Sequence, residues 1–344
     1  MRLRALFLLA TSVSCADTGT VDPGNPAMFV VETIALGDDS SSSPTEVTLA
    51  AWSRGRLAIA DKTRQSLFVY AQDGRLLWRL AHAHDPLLAP PRANALSWDA
   101  DTLLVADVNA ARGVWMFGPD GSLVRRVTLA FELPVTAVAR HQGDLLVATT
   151  SSDSLLAAGE ALLVHRFDQA GKLLASGCRA DSLYVASVRR DGMMAIFRAM
   201  TAVSAAEGTY CTQPLSPVLR LLSDSLQVAD EISLLPWMRA PGADVRGSMD
   251  LISISEFRKT ASELQQTFLS PGYTHSLLAR FDEALGGDRY MVVRCQRARP
   301  HACTAASSLR KVIGVISDDT VVALDARSTA IDPQRIALLT YPPK

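Results

Sequence analysis

Short apolar runs separated by polar breaks fill most of this chain. From Gly55 to Leu80 it reads GRLAIADKTRQSLFVYAQDGRLLWRL: an apolar run ending at Asp61, a polar break, a second run, the pair Asp73-Gly74, and a third run. The pattern returns over Asp101–Leu129 with Asp120-Gly121, and over Gly143–Ser176 with Ala170-Gly171 in the same place. Runs this short, bounded by turn residues, predict strands rather than helices. Asp-Gly predicts a two-residue hairpin turn, because both residues accept positive φ at low cost. Glu46–Ser53, Asn94–Asp99 and Val135–His141 precede these units and complete four strands each. The units advance by about 45–60 residues, the size of one four-stranded blade of a propeller.

Three further units are less regular. The fourth is read as Ser182–Arg189, a turn at Asp191-Gly192, Met193–Phe197, then Pro217–Leu222 and Gln227–Leu234 as outer strands. In the fifth, His275–Asp282 matches the third-strand pattern of Val164–Asp168, and Arg289–Cys295 follows. The sixth has Val312–Ser317, Thr320–Asp325 and Ile336–Tyr341, and lacks one strand. Met28–Leu36 (MFVVETIAL) can supply it as the outer strand and close the ring, which removes exposed sheet edges. The expected fold is all-β: a six-bladed β-propeller over residues 28–344, four antiparallel strands per blade. Phe257, Ala261, Leu264 and Phe268 stand at helical spacing and predict a short helix within Ser255–Phe268.

The strand ending in Asp61 or Asp107, the LFVY or VWMF strand and the Asp-Gly turn resemble NHL-type repeats. The whole is similar to the six-bladed propeller lipoproteins of bacteria. The resemblance implies a fold and leaves function open, since such rings serve as binding scaffolds, lyases and lactonases alike.

Residues 1–15 add a compartment. Arg2 and Arg4 precede an apolar stretch, Ala5–Val13, too short to span a bilayer. Ser14-Cys15 then resembles a lipobox, which implies a lipidated Cys15, although Ser12 stands where that motif prefers Leu. An ordinary cleaved signal is the alternative. Residues 16–27 read as a tether of Gly, Pro and small polar residues. The expected location is extracytoplasmic, in the bacterial cell envelope. The chain holds 34 basic and 35 acidic residues, a balance without the excess a nucleic-acid binder shows. Losing residues 1–14 removes two arginines and no acid, leaving it mildly acidic.

With Cys15 set aside, Cys178, Cys211, Cys295 and Cys303 remain. Four cysteines allow three pairings, or four free thiols. Nearness in sequence favours Cys295 with Cys303, which leaves Cys178 with Cys211, both expected as clips beside the loops joining second to third strands. No CxxC, nucleophile elbow, P-loop, HExxH or dinucleotide fingerprint occurs.

Candidate chemistry is therefore sparse. Asp61, Asp107 and Asp325 end equivalent strands, where a carboxylate accepting backbone N–H groups is the simplest role. His82 and His84 could share a face, but Pro86 opens a proline-rich linker after them. Polar loops usually carry function, and the candidate binding rim comprises Arg64, Asn109, Arg112, Arg198, His275 and Arg327. The longest rim loops are expected at 198–215 and 258–274. No catalytic set and no cofactor is assigned. The expected function is a binding or scaffold propeller for a protein, peptide or glycan, touching membrane only through its anchor. The alternative is an enzyme at the channel mouth. A metal-dependent lactonase would hold a divalent ion through residues such as Asn94. A lyase would draw on His275, Tyr273 and Arg280.

Overall fold

The computed structural model describes residues 26–37, 43–45, 47–61, 63–81, 93–107, 113–130, 135–149, 160–181, 202–205, 208–238, 261–282, 284, 286–325 and 334–342. They form twenty-four strands in six antiparallel sheets of four. β1 (Phe29–Ala35) comes first in the chain. The first blade is β2 (Val47–Ser53), β3 (Arg56–Asp61), β4 (Ser66–Ala71) and β5 (Leu76–Ala81). The second is β6 (Ala93–Asp99), β7 (Thr102–Asp107), β8 (Gly113–Phe117) and β9 (Leu123–Thr128). The third is β10 (Val135–His141), β11 (Asp144–Thr149), β12 (Leu162–Phe167) and β13 (Leu173–Arg179). The fourth is β14 (Ala202–Ala205), β15 (Thr209–Thr212), β16 (Val218–Leu222) and β17 (Val228–Ser233). The fifth is β18 (Glu263–Leu269), β19 (Tyr273–Asp282), β20 (Gly287–Gln296) and β21 (Cys303–Ser308). The sixth is β22 (Val312–Val315), β23 (Thr320–Asp325) and β24 (Arg335–Thr340), with β1 as its outer strand.

The first strands of successive blades touch in order around the centre, and β22 returns to β2. β1 closes the ring as expected, pairing Phe29 with Thr340 and Ala35 with Arg335. Its lead-in also grips the fifth blade: Met28 N donates to Ser307 O at 2.9 Å, and Ser307 N to Pro26 O at 3.0 Å. Among the described residues, six apolar clusters each span two neighbouring blades, one for every interface of the ring. This explains the sequence pattern. Second and third strands are covered on both faces and read as continuous apolar runs; β4 is buried from Ser66 to Tyr70. Outer strands are half exposed and admit charge.

The hairpins differ from expectation. Ala71 N donates to Arg75 O and Gly74 N to Ala71 O, so the loop has three residues with Gly74 alone at positive φ. This is a type I turn followed by a glycine bulge. Asp73 instead accepts the Arg75 N–H through its carboxylate, at 3.1 Å. Two-residue turns occur between first and second strands, at Arg54-Gly55 and Gln142-Gly143, where both residues have positive φ.

The hairpin glycine has a second duty. A Cβ on Gly171 would sit 2.0 Å from Thr128 O, and one on Gly74 1.9 Å from Ala35 O. Each turn is pressed against the preceding blade's outer strand. The fourth blade inverts the arrangement: Leu226 takes the positive-φ site and Gly177 the strand beneath it, with Leu226 O 2.0 Å from the missing Cβ. Gly171→Ala should therefore cost about 2–3 kcal/mol, against about 1 kcal/mol for Gly143→Ala, whose Cβ would meet nothing closer than 3.9 Å. Urea midpoints of the two variants measure the difference; equal losses would show that the contact carries no cost.

Two blades are corrected. The inner pair of the fourth blade is β14 and β15, not Ser182–Arg189 and Met193–Phe197, which lie outside the described residues. In the fifth, His275–Asp282 belongs to the second strand rather than the third. The stretch expected as a helix ends in β18, the innermost strand. Leu264 and Phe268 lie on either side of a bulge at Gln265, so their helical spacing also fits an irregular strand.

Candidate functional site

Strand order gives the ring two unlike rims. The hairpin rim carries the first-to-second and third-to-fourth turns. The loop rim carries the second-to-third loops and the links between blades. The link from β13 to β14 (180–201) and that from β17 to β18 (234–262) both leave the loop rim, one on each side of the fourth blade. The long excursions thus begin and end on the expected rim as links between blades, rather than forming the loops 198–215 and 258–274.

At the root of the first link, Cys178 near the end of β13 bonds Cys211 on β15 and ties the third blade to the fourth. Gln213 closes the corner: its Nε2 donates to Arg179 O at 2.9 Å and its Oε1 accepts from Asp181 N at 2.7 Å. Asp181 accepts from Ser216 Oγ and from the Arg220 guanidinium, both at 3.2 Å, and Arg220 also reaches Glu231. Polar groups that would otherwise be stranded beside the apolar interface are paired here, which fixes the points where the link leaves.

Arg64 sits on the same rim. Its backbone N–H donates to Asp61 Oδ1 at 2.9 Å and its Nε to Thr45 Oγ1 at 2.8 Å. Asp61 also accepts the Thr45 N–H, so this carboxylate binds two loops through their backbones. Asp325 instead faces the Arg310 guanidinium at 3.3 Å. Asn109, Arg112, Arg198 and Arg327 lie outside the described residues, as do His82 and His84.

His275 does not lie on the loop rim. It is fully buried near the start of β19, at the hairpin rim between the fifth and sixth blades. Its Nδ1 is 2.9 Å from Tyr341 Oη and its Nε2 3.0 Å from Ser270 Oγ. Arg294 stacks between the rings of Tyr273 and Tyr341, 4.9 and 4.3 Å from their centroids, and pairs with Asp319. Its guanidinium also donates to Asp318 O at 3.0 Å. Burial and then the Arg294 charge lower the His275 pKa to about 4, with Asp318 and Asp319 opposing weakly. Burial raises the Tyr341 phenol well above its usual range. A serine beside a neutral imidazole has general-base geometry. Here both side chains are covered, and the network ties the fifth blade to the sixth. Arg280 is exposed and stands five residues along β19 from His275, about 17 Å away, so the structure does not assemble the set His275, Tyr273 and Arg280.

Asn94 occupies a bulge of the innermost β6 and donates to Val135 O of the next blade. Among the described residues, no group of three His, Cys, Asp or Glu side chains could hold a metal ion. The second disulfide, Cys295–Cys303, joins register partners of β20 and β21 on the hairpin rim, opposite the face expected for it. Beside it Asp230 accepts two bonds from Arg299, at 2.8 and 2.6 Å, and faces His301 at 3.0 Å. These partners hold its carboxyl well below the usual range.

Sequence reasoning missed Ser270, Arg294 and Tyr341 as a unit. They come from a turn, a third strand and the chain's end, and no spacing links them.

No family model and no curated protein matches this chain. Solved structures do. A candidate exported protein from Bacteroides fragilis is 10% identical, with a TM-score of 0.59 over 92% of this chain and 96% of that one. A member of the DUF4221 family from Bacteroides vulgatus is 9% identical, with a TM-score of 0.61 over 93% and 99%. At such identities the likeness carries the fold alone: what this chain shares with both is the ring of blades.

Proposed function

We propose that this chain is an extracytoplasmic binding propeller, anchored through Cys15, that holds a protein, peptide or glycan on its loop rim. The topology carries the reading: the links 180–201 and 234–262 leave the same rim on either side of the fourth blade. Loops on a rigid frame are where binding groups concentrate. The frame is rigid at this place, because the Cys178–Cys211 bond and the Gln213–Asp181–Arg220 cluster lock two blades at the root of the first link. Two disulfides suit an oxidising compartment, and the Bacteroides fragilis neighbour is described as an exported protein. The buried Ser270–His275 pair serves this reading as a seam bond rather than as a nucleophile and its base.

Photo-crosslinking in cells tests the placement. A crosslinker at Arg64 on the loop rim, or at Arg198 within the link 180–201, should capture partners, and one at Val124 on the hairpin rim should capture no protein. Protein adducts confined to Val124 would overturn the proposal.

A further inference from the structure

We infer that Cys295–Cys303 is a thiol–disulfide exchange site, opened by a dithiol, and that its opening releases the hairpin latching the fourth blade to the fifth. This property is independent of what the loop rim binds.

Three side chains stand in one row at the hairpin rim. Thr274 of β19 is the register partner of Cys295 on β20, and Cys295 is the register partner of Cys303 on β21. Register partners point to the same face, with Cβ atoms about 4.5–5.5 Å apart. Thr274 and Cys295 are fully buried, and Cys303 is partly exposed.

Each sulfur has a neighbour that only the reduced form can use. Among the described residues, Thr274 Oγ1 is buried without a hydrogen-bond partner. An orphaned buried hydroxyl is costly and calls for an explanation. A thiolate or thiol on Cys295 would accept its hydrogen bond, and a disulfide sulfur is a poor acceptor. On the other side, Cys303 Sγ lies 3.1 Å from His301 O. A disulfide sulfur carries no hydrogen, so this carbonyl gains a donor only when Cys303 is a thiol. Whatever stabilises the dithiol form makes the disulfide easier to reduce.

The other disulfide is arranged differently. Cys178 and Cys211 are both buried in an apolar cluster, and the nearby Gln213 amide is already paired with Arg179 O. That bond closes 33 residues of sequence against 8. The fold strengthens a disulfide by as much as the disulfide strengthens the fold, so the shorter loop holds its bond less firmly.

In the exchange, a thiolate of the dithiol attacks Cys303, the partly exposed cysteine, and forms a mixed disulfide with it. The Cys295–Cys303 bond breaks, and Cys295 leaves as a thiolate beside the Thr274 hydroxyl. The reagent's second thiolate attacks its own sulfur in the mixed disulfide and expels Cys303. Two electrons pass to the protein, the reagent becomes a cyclic disulfide, and its two protons end on Cys295 and Cys303. The loop so opened carries Arg299 and His301, which hold Asp230 on β17 of the fourth blade at 2.6–3.0 Å. Without its closure that grip weakens.

The test titrates the folded full chain carrying Cys15→Ser, without urea, with mixtures of reduced and oxidised dithiothreitol. Alkylation and mass spectrometry read each cysteine. Cys295 and Cys303 should open first, with Cys178 and Cys211 still bonded. Thr274→Val removes the hydroxyl at nearly constant volume and should need about a tenfold higher ratio of reduced to oxidised reagent. Thr274→Ser keeps the hydroxyl and should follow the parent. An equal ratio for Thr274→Val overturns the inference, as does Cys178–Cys211 opening first or together with Cys295–Cys303. The urea midpoint of each oxidised variant checks its fold, and Thr274→Ala replaces Thr274→Val if the valine is not accommodated. Hydrogen exchange at residues 228–233 reports the latch: it should quicken on reduction in the parent and not in Asp230→Asn. Unchanged exchange in the parent would sink the latch.

Discussion

Acidification from pH 7 to pH 4 is expected to remove about 6 kcal/mol of stability, through two buried histidines. His275 lies in the seam network. His165 lies in the third blade, with Nδ1 2.8 Å from Ser176 Oγ and Nε2 3.1 Å from Thr149 Oγ1, a row across β11, β12 and β13. Burial lowers each from 6.5 to about 4. Between these values the unfolded chain binds protons that the folded chain refuses. Their contribution is therefore complete above about pH 6.5 and is lost as pH falls through 4, at about 3 kcal/mol per histidine. The two lie in different blades and share no partner, so the losses should add. Native domains hold only about 5–15 kcal/mol, so the ring should approach unfolding near pH 4. Urea midpoints followed from pH 7.5 to 4 measure this. His165→Gln and His275→Gln should each remove about half of the slope, whatever they do to stability at pH 7.5. A midpoint unchanged across the range would show that neither histidine is held neutral. Asp230, lowered by Arg299 and His301, acts only below 3.8 and does not blur the window.

The second large effect belongs to the disulfide between blades. Cys178–Cys211 closes 33 residues of sequence and Cys295–Cys303 only 8. On loop-closure entropy the first contributes about 3–4 kcal/mol and the second about 2–2.5 kcal/mol. Cys178 and Cys211 also belong to the apolar cluster between the third and fourth blades, so packing adds to the first figure. The double variant Cys178→Ala/Cys211→Ala should lose more in urea than Cys295→Ala/Cys303→Ala. A reducing agent should bring wild type down to the sum of both. The reverse order would mean that the longer bond constrains little, because residual structure already holds those segments together when unfolded.

Much of this was readable in advance, for particular reasons. The first three blades announce themselves because the middle strands are covered on both faces, so LAIA, LFVY and VWMF cannot be anything but apolar. The closing strand was readable because one blade was short by one strand. The fourth and fifth blades were not, since their inner strands, AVSA and ELQQTFL, mix polar and apolar residues. Thr212, Thr267 and Ser276 explain part of that composition: their hydroxyls form a buried chain across β15, β18 and β19, at 3.2 and 3.1 Å. Apolar periodicity cannot report an interface that packs partly through hydroxyls.

The hairpin glycines mark the boundary most clearly. Sequence alone determined that Gly74, Gly121 and Gly171 end turns, because local φ preference is a property of the residue. It also determined the strand pattern of the first three blades and pointed to the closing strand, because burial on both faces leaves its mark on composition. Only the tertiary structure decided that Gly171 must also lack a Cβ for the neighbouring blade's sake, and that Leu226 can take that place where Gly177 yields. It alone sent His275 into the seam and the two disulfides to opposite rims. Those outcomes depend on which blades become neighbours and how their strands register, and such distances close only when the ring does.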